Sequence, residues 1–237
     1  LTLKKMGFAQ ADLCEHVGYE MVELPDGAMS SRKGNVIMFR TLREQLAAAL
    51  DGKFFAALRE EWPAEEIETA IHQVSLGAIK YGMLARDNNQ KIVFDMDKWT
   101  EVQGGDGGPT LQYVCARTSS LLRKAEERGF TLDEALLRGE VGTAAGTLSE
   151  PAERALMQAL TGLPAAVAAS AANLRPTPLC SQLYVIAKAY NRFQQECNVI
   201  HQEDRNVVQA RLLLVTATRE ALRWGLSLLG IPAPERM

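Results

Sequence analysis

"GGDGGPTLQYVCARTSSLLRKA", residues 104–125, divides this chain into two unlike parts. Its first seven residues hold four glycines, an aspartate and a proline, the composition of a hinge or boundary. Everything after it reads as helix, over about 111–129, 149–161, 163–173, 177–202 and 204–229, with breaks near Pro164, Pro176 and Gly230 that suit a bundle. The segment "PAAVAASAAN", residues 164–173, is alanine-rich, a composition that favours helix in close packing.

Before residue 104 the pattern is mixed. "YEMVEL" (19–24) and "NVIMF" (35–39) are short and apolar, and the Pro25-Asp26-Gly27 turn lies between them, so the reading is strand, loop, strand. Thr41 and Glu44 have capping-box spacing, which predicts a helix opening there, and Trp62-Pro63 ends one helix and starts the next. Ile67, Ile71, Val74, Ala78, Ile79 and Met83 recur at three and four residues, one buried face of a helix over 64–86. "KIVFDM" (91–96) reads as a short extended piece, and the chain contains no fixed-period repeat. The expected fold is therefore mostly α, with few strands confined to residues 1–103 and an all-α bundle over 104–237.

Composition narrows the function classes without choosing one. With 237 residues, 47% hydrophobic content and 23% charged, the chain can bury a real core. A net charge of -3 supplies no global attraction to nucleic acid or anionic membrane, so any phosphate-binding surface is a local patch. Cys14, Cys115, Cys180 and Cys197 are scattered with no paired spacing, which predicts neither a metal site nor a disulfide framework and points to a reduced, cytoplasmic setting. No apolar run of about 18 residues is evident, and no membrane span or signal peptide is expected.

One loop carries chemistry. In "GAMSSRKGN", residues 27–35, glycine lets the backbone approach an anion, the hydroxyls of Ser30 and Ser31 donate to phosphate oxygens, and Arg32 and Lys33 supply charge. Such a loop can stabilise negative charge building on a leaving pyrophosphate, although by composition alone it is more often a solvated turn.

In context, "DGAMSSRKGNVI" resembles the KMSKS signature loop of class I aminoacyl-tRNA synthetases, in its arginyl form. "GAIKYGMLARDNNQKIVFDMDKW", "GPTLQYVCARTSSLLRKA", "AYNRFQQECNVI" and "ARLLLVTATREALRWGLSLLGIPAPERM" then resemble successive stretches of arginyl-tRNA synthetases, down to the final Glu-Arg-Met. The resemblance covers essentially the whole chain. It implies the end of a Rossmann-type catalytic domain followed by an anticodon-binding helical bundle, with the family's HIGH signature lying upstream of Leu1. The isolated chain is accordingly expected not to form arginyl adenylate.

The resemblance also implies the substrates and the site. Arginine, ATP with Mg2+ and arginine tRNA would be the partners of the full-length enzyme, a monomer in this family, with no metal site in this chain. Met29, Ser30, Ser31 and Lys33 would line ATP, and Arg32 and Lys33 would face its phosphates. Ala28 and Ser31 stand where relatives carry lysines, which leaves more of the charge to Arg32 and Lys33. Two readings are open for His16: a contact to ATP, or a structural hydrogen bond beside a strand. On the RNA side the resemblance points to Gln112, Tyr113, Arg117, Tyr190, Asn191 and Met237. Tyr113 and Arg117, at i and i+4, share one helix face, while composition alone favours core packing for both tyrosines. Arg123, Lys124 and Arg128 continue along that helix toward phosphates or solvent. Thr110 replaces a tyrosine common in the family, so no aromatic platform is expected there. Two other readings share features with this one: a cysteinyl or methionyl synthetase, and a non-catalytic helical tRNA-binding protein.

Overall fold

Pro63, whose fixed φ suits the residue before a helix, opens a long helix with Glu65 and Glu66 in its positively polarised first turn. Around this helix the computed structural model describes residues 2–25, 27–28, 37–133, 136 and 144–237. The elements are α1 (Thr2–Lys5), β1 (Val22–Leu24), β2 (Gly27–Ala28), α2 (Phe39–Leu50), α3 (Ala64–Leu84), β3 (Ile92–Val93), α4 (Met96–Trp99) and α5 (Gly108–Glu127). They are followed by α6 (Pro151–Thr161), α7 (Leu163–Asn173), α8 (Thr177–Glu196) and α9 (Arg205–Leu228). A π-helical turn, Asp51–Phe55, and a 3-10 turn, Ala56–Leu58, carry the chain from α2 toward α3.

The three strands form one small sheet in the order β2-β1-β3. The β1–β2 pair is antiparallel and the β1–β3 pair parallel. An ion pair of 2.8 Å between Lys91 and Glu23 crosses from the residue before β3 to β1. The second expected strand is corrected in part. Asn35 and Val36 lie outside the described residues, Ile37 and Met38 carry no strand, and Phe39 already begins α2. The helix thus starts at Phe39 with Met38 as its cap and no side-chain cap bond, so Thr41 sits inside it and the capping-box reading fails. Exposed apolar side chains gather in this region, among them Leu13 at 84% and Tyr19 at 87%.

Most of the core belongs to the helices after residue 104. Helix α5 packs on α3, α8 and α9, α6 packs on α8 and α9, and α7 lies along α8. Leu111, Val114, Leu156, Leu183, Ile186, Tyr190, Phe193, Val208, Val215 and Leu222 have no exposed surface. Burying each aliphatic side chain stabilises the fold by about 1.5–3 kcal/mol before entropy is counted. A smaller core joins Leu50, Phe55, Ile67, Ala70, Val74 and Val102. Of the predicted α3 stripe, Ile67, Val74, Ala78 and Ile79 are buried, but Met83 is 40% exposed because Ile79 and Tyr81 take the inward directions of the last turns.

Helices α3 and α5 cross at two glycines. A Cβ on Gly108 would stand 2.2 Å from the Gly77 carbonyl oxygen, and one on Gly77 would stand 2.1 Å from Gln112 Oε1. With no side chain at either crossing position, Gln112 lies fully buried and its Nε2 donates to the Gln73 carbonyl at 3.0 Å and the Pro232 carbonyl at 2.7 Å. One amide thereby joins α5, α3 and the C-terminal tail. Nearby, the Tyr81 hydroxyl donates to the Cys180 carbonyl at 3.0 Å, tying α3 to α8.

The stretch Pro151–Asn173 corrects the expectation that no apolar run reaches membrane length: within its 23 residues an 18-residue window of mean hydropathy 1.4 meets that test by composition. In the fold it is two helices of 11 residues, each about 17 Å long and so well short of a bilayer core. The first also buries a charge. Glu153 Oε1 accepts from Arg211 Nε at 2.6 Å, its Oε2 accepts from the Glu150 N–H at 2.9 Å, and Arg211 Nη1 donates to the Asn198 carbonyl at 2.6 Å. With side chains 0% and 8% exposed, the pair is a case where losing one partner costs about 3–5 kcal/mol.

This packing makes two outcomes expected. Gln112→Leu leaves the Pro232 carbonyl without its donor and is expected to lower stability by about 1–3 kcal/mol, read as a lower urea midpoint. All four cysteines are free, and burial pushes the Cys115 and Cys180 thiols up to about 12, so neither offers a thiolate at neutral pH. Native protein titrated with a chromogenic disulfide reagent at pH 8 should label rapidly at exposed Cys14, with the other three reacting only after denaturation.

Candidate nucleic-acid interface

Residues 112 and 113 are neighbours in sequence but point about 100° apart on α5, since an α-helix turns once every 3.6 residues. Gln112 points into the α3 crossing, and Tyr113 emerges half-buried on an outer face. One turn on, the Arg117 guanidinium carbon lies 5.7 Å from the centre of the Tyr113 ring, a cation–π contact that the i, i+4 spacing predicts. Arg117 Nη1 also donates to Asn191 Oδ1 on α8 at 3.4 Å. Gln103 Nε2 donates to the Tyr113 hydroxyl at 3.3 Å, and Phe54 meets the Tyr113 ring edge-on at 5.7 Å and 84°.

The C-terminal tail completes this face. Lys80 donates to the Gly230 carbonyl, Arg123 to the Glu235 carbonyl at 3.3 Å, and Arg223 pairs with the Glu235 carboxylate. Arg236 Nη1 meets both Glu66 oxygens at 3.0 and 3.1 Å, and its guanidinium carbon lies 4.2 Å from the centre of the Trp62 ring. These contacts set Met237, half-buried, against the same small core as Phe54, Trp62 and Tyr113. Aromatic faces for stacking, an arginine and amide edges are the ingredients by which single-stranded RNA is held.

Four of the six residues proposed for RNA, Tyr113, Arg117, Asn191 and Met237, thus border this region. Two do not belong to its surface. Tyr190 has no exposed surface and its ring leans on Phe193 at 6.2 Å, so it has no face to offer a base, and burial raises its hydroxyl pKa. Its side chain turns inward between α5 and α8, and the next residue, Asn191, takes the outward position. Gln112 is likewise removed from solvent by its two backbone carbonyls. Arg123 is held by the tail, and Arg128 Nη1 lies 2.7 Å from His201 Nε2, so neither extends freely. Thr110 is buried and donates to the Glu101 carbonyl at 3.0 Å.

Sequence reasoning did not single out Phe54, Trp62, Gln103 and Arg236, which pack around the same face. Nothing local marks them: Phe54 and Trp62 sit in a turn-rich connector, and only the fold sets them beside α5. At the other end of the chain, exposed His16 lines a cleft of about 440 Å³ with Gly18, Asn88 and Arg175, among others. Met29, Ser30, Ser31, Arg32 and Lys33 lie outside the described residues.

Comparison with known proteins bears on the whole chain. It is 42% identical to an arginine–tRNA ligase of Bdellovibrio bacteriovorus over 236 residues, covering 99% of this chain and 39% of that protein. It is 36% identical to the arginine–tRNA ligase of Pyrococcus furiosus, covering 99% of this chain and 37% of that protein. The chain therefore spans well under half the length of these curated relatives. Its fold superposes on Thermus thermophilus arginyl-tRNA synthetase with a TM-score of 0.79 and 30% identity, over 99% of this chain and 38% of that one. A synthetase from Plasmodium falciparum shares the fold with a TM-score of 0.74 at 19% identity, over 94% of this chain and 35% of that one. Residues 111–237, from the first full turn of α5 through the tail that ends in Met237, match the DALR anticodon binding domain, and the chain belongs to that family.

Proposed function

We propose that this chain is the C-terminal part of an arginine–tRNA ligase, that its bundle holds the anticodon loop of arginine tRNA, and that its "GAMSSRKGN" loop serves ATP. The observation that carries the RNA half is the meeting of Tyr113, Arg117, Asn191 and Met237 around one half-buried face, built from three separate segments of the chain. An unpaired base stacks on Tyr113 while Arg117 faces the backbone. The division into a catalytic tail, residues 1–103, and a bundle, residues 104–237, follows the glycine-rich boundary. The two parts stay coupled, because Tyr113 and Met237 border a core made mostly by α2, α3 and the turns between them.

In the complete ligase, arginine is activated by ATP with Mg2+ and passed to the tRNA 3′ end. The part of this chain in that step is charge stabilisation: backbone N–H groups and hydroxyls of Met29, Ser30 and Ser31 cradle the nucleotide, and Arg32 and Lys33 neutralise the departing pyrophosphate. His16, exposed and beside an open cleft, is available to the same nucleotide. The enzyme works as a cytoplasmic monomer in this reading.

Two experiments test the halves separately. Tyr113→Leu should weaken binding of arginine tRNA about tenfold with an unchanged salt dependence, whereas Arg117→Ala should flatten the slope of log K against log salt by about one phosphate contact. Equal affinity in both variants removes the RNA assignment. In the complete ligase, Lys33→Ala should slow arginine-dependent ATP–pyrophosphate exchange by about tenfold or more, and an unchanged rate removes the ATP assignment.

A further inference from the structure

Between α2 and α3 the backbone leaves the α-helical path for one π-helical turn, Asp51–Phe55. Such a turn holds an extra residue and rotates the side chains after it by about 100°, and π turns inside helices concentrate at functional sites. Here it separates two adjacent phenylalanines. Phe55 has no exposed surface, whereas Phe54 stays half-buried, edge-on to Phe55 at 5.3 Å and to Tyr113 at 5.7 Å.

Phe54 also lines a groove of about 640 Å³, together with Lys53, Lys98, Glu101, Val102 and Gln103. That volume lies within the range of small-ligand sites. The polar groups around it are not equally committed. Lys53 is engaged, donating to Asp97 at 2.7 Å and Thr100 Oγ1 at 3.1 Å. Lys98 is loosely held, 3.6 Å from Asp95, and its side chain is 74% exposed. Gln103 donates one N–H to the Tyr113 hydroxyl and keeps its side-chain carbonyl oxygen as an acceptor, and the Glu101 carboxylate has no partner among the described residues. The groove therefore offers an aromatic ring, two acceptors and an exposed cation, and through Gln103 and Phe54 it adjoins the Tyr113 face.

We propose that this groove is a second nucleotide subsite, in which an unpaired RNA base bearing an exocyclic amino group stacks on Phe54 and donates to Glu101 and Gln103. Lys98 meets the phosphate of that nucleotide. Adenine, cytosine and guanine each present an exocyclic amino group with two N–H donors to the two acceptors, whereas uracil offers only its single N3–H, so the subsite disfavours uracil. This subsite rests on the reading that the Tyr113 face binds arginine tRNA, and it extends that face onto the connector before α3, a segment outside residues 111–237.

Binding of an arginine tRNA transcript to the full chain, followed by fluorescence anisotropy at several salt concentrations, tests it. Phe54→Leu, which keeps apolar volume against Phe55, should weaken binding about fivefold or more with an unchanged salt slope. Phe54→Tyr, which keeps the ring, should bind as the parent does. Glu101→Gln, at an exposed position, should narrow the difference in affinity between the parent transcript and transcripts carrying uridine at single positions of the anticodon loop. Should Phe54→Leu fail to fold by circular dichroism, the Glu101→Gln comparison decides, and discrimination equal to that of the parent overturns the subsite. If tRNA binds and Tyr113→Leu weakens it while Phe54→Leu binds as the parent does and Glu101→Gln leaves the uridine discrimination unchanged, the subsite alone is overturned. If the parent chain does not bind the transcript, the reading on which it rests falls as well.

Discussion

The side-chain amide of Gln112 holds three parts of this molecule in register. It donates to carbonyls of α3 and of the C-terminal tail, and it reaches both only because Gly77 and Gly108 let α3 and α5 approach without intervening side chains. A buried amide with both N–H bonds satisfied is directional in a way that apolar packing is not. It sets not just how close the helices lie but how α5 is rotated about its own axis. That rotation decides which residues of α5 face solvent.

The surface proposed as an RNA interface is a consequence of that rotation. With Gln112 turned inward, Tyr113 and Arg117 turn outward, and the tail that Gln112 grips runs on to put Arg236 over Trp62 and Met237 into the small core beneath Phe54 and Tyr113. Tail contacts reach α3, α5 and α9, so the last eight residues behave as a strap across the bundle and the connector. A base stacking on Tyr113 would press on the same core that α2 and α3 build. Mechanical continuity between the proposed RNA-binding face and α2 and α3 is thus built into the packing.

Charge plays two distinct roles. On the surface, pairs such as Lys53–Asp97 and Arg175–Asp87 are solvated and add little individually. The buried Glu153–Arg211 pair is different: both carboxylate oxygens and the guanidinium find partners, which fixes the start of α6 against α9 and the segment before α9. The break that makes this apolar-looking stretch two helices and not one continuous rod lies elsewhere, at Gly162 and Pro164, where proline has no N–H to continue the helical ladder.

Helix positions after residue 104 were legible from proline, glycine and apolar spacing, because local propensity and the burial of one face act on the same few turns. The α3 stripe was legible for the same reason apart from Met83, and so was the shared face of Tyr113 and Arg117. Family resemblance along the whole chain was also legible, carried by short motifs in order. Ends of helices were less so: Thr41 looks like a cap in sequence, but Phe39 and Met38 begin the helix because packing of α2 on α3 overrides a weak capping preference. The sequence by itself determined the mostly helical class, the glycine-rich boundary and the residue types available for RNA. Only tertiary structure decided which of them face solvent. Tyr190 and Gln112 are buried while Phe54, Gln103 and Arg236 join the face, because exposure depends on how separate helices rotate against one another, a property that no short stretch of sequence contains.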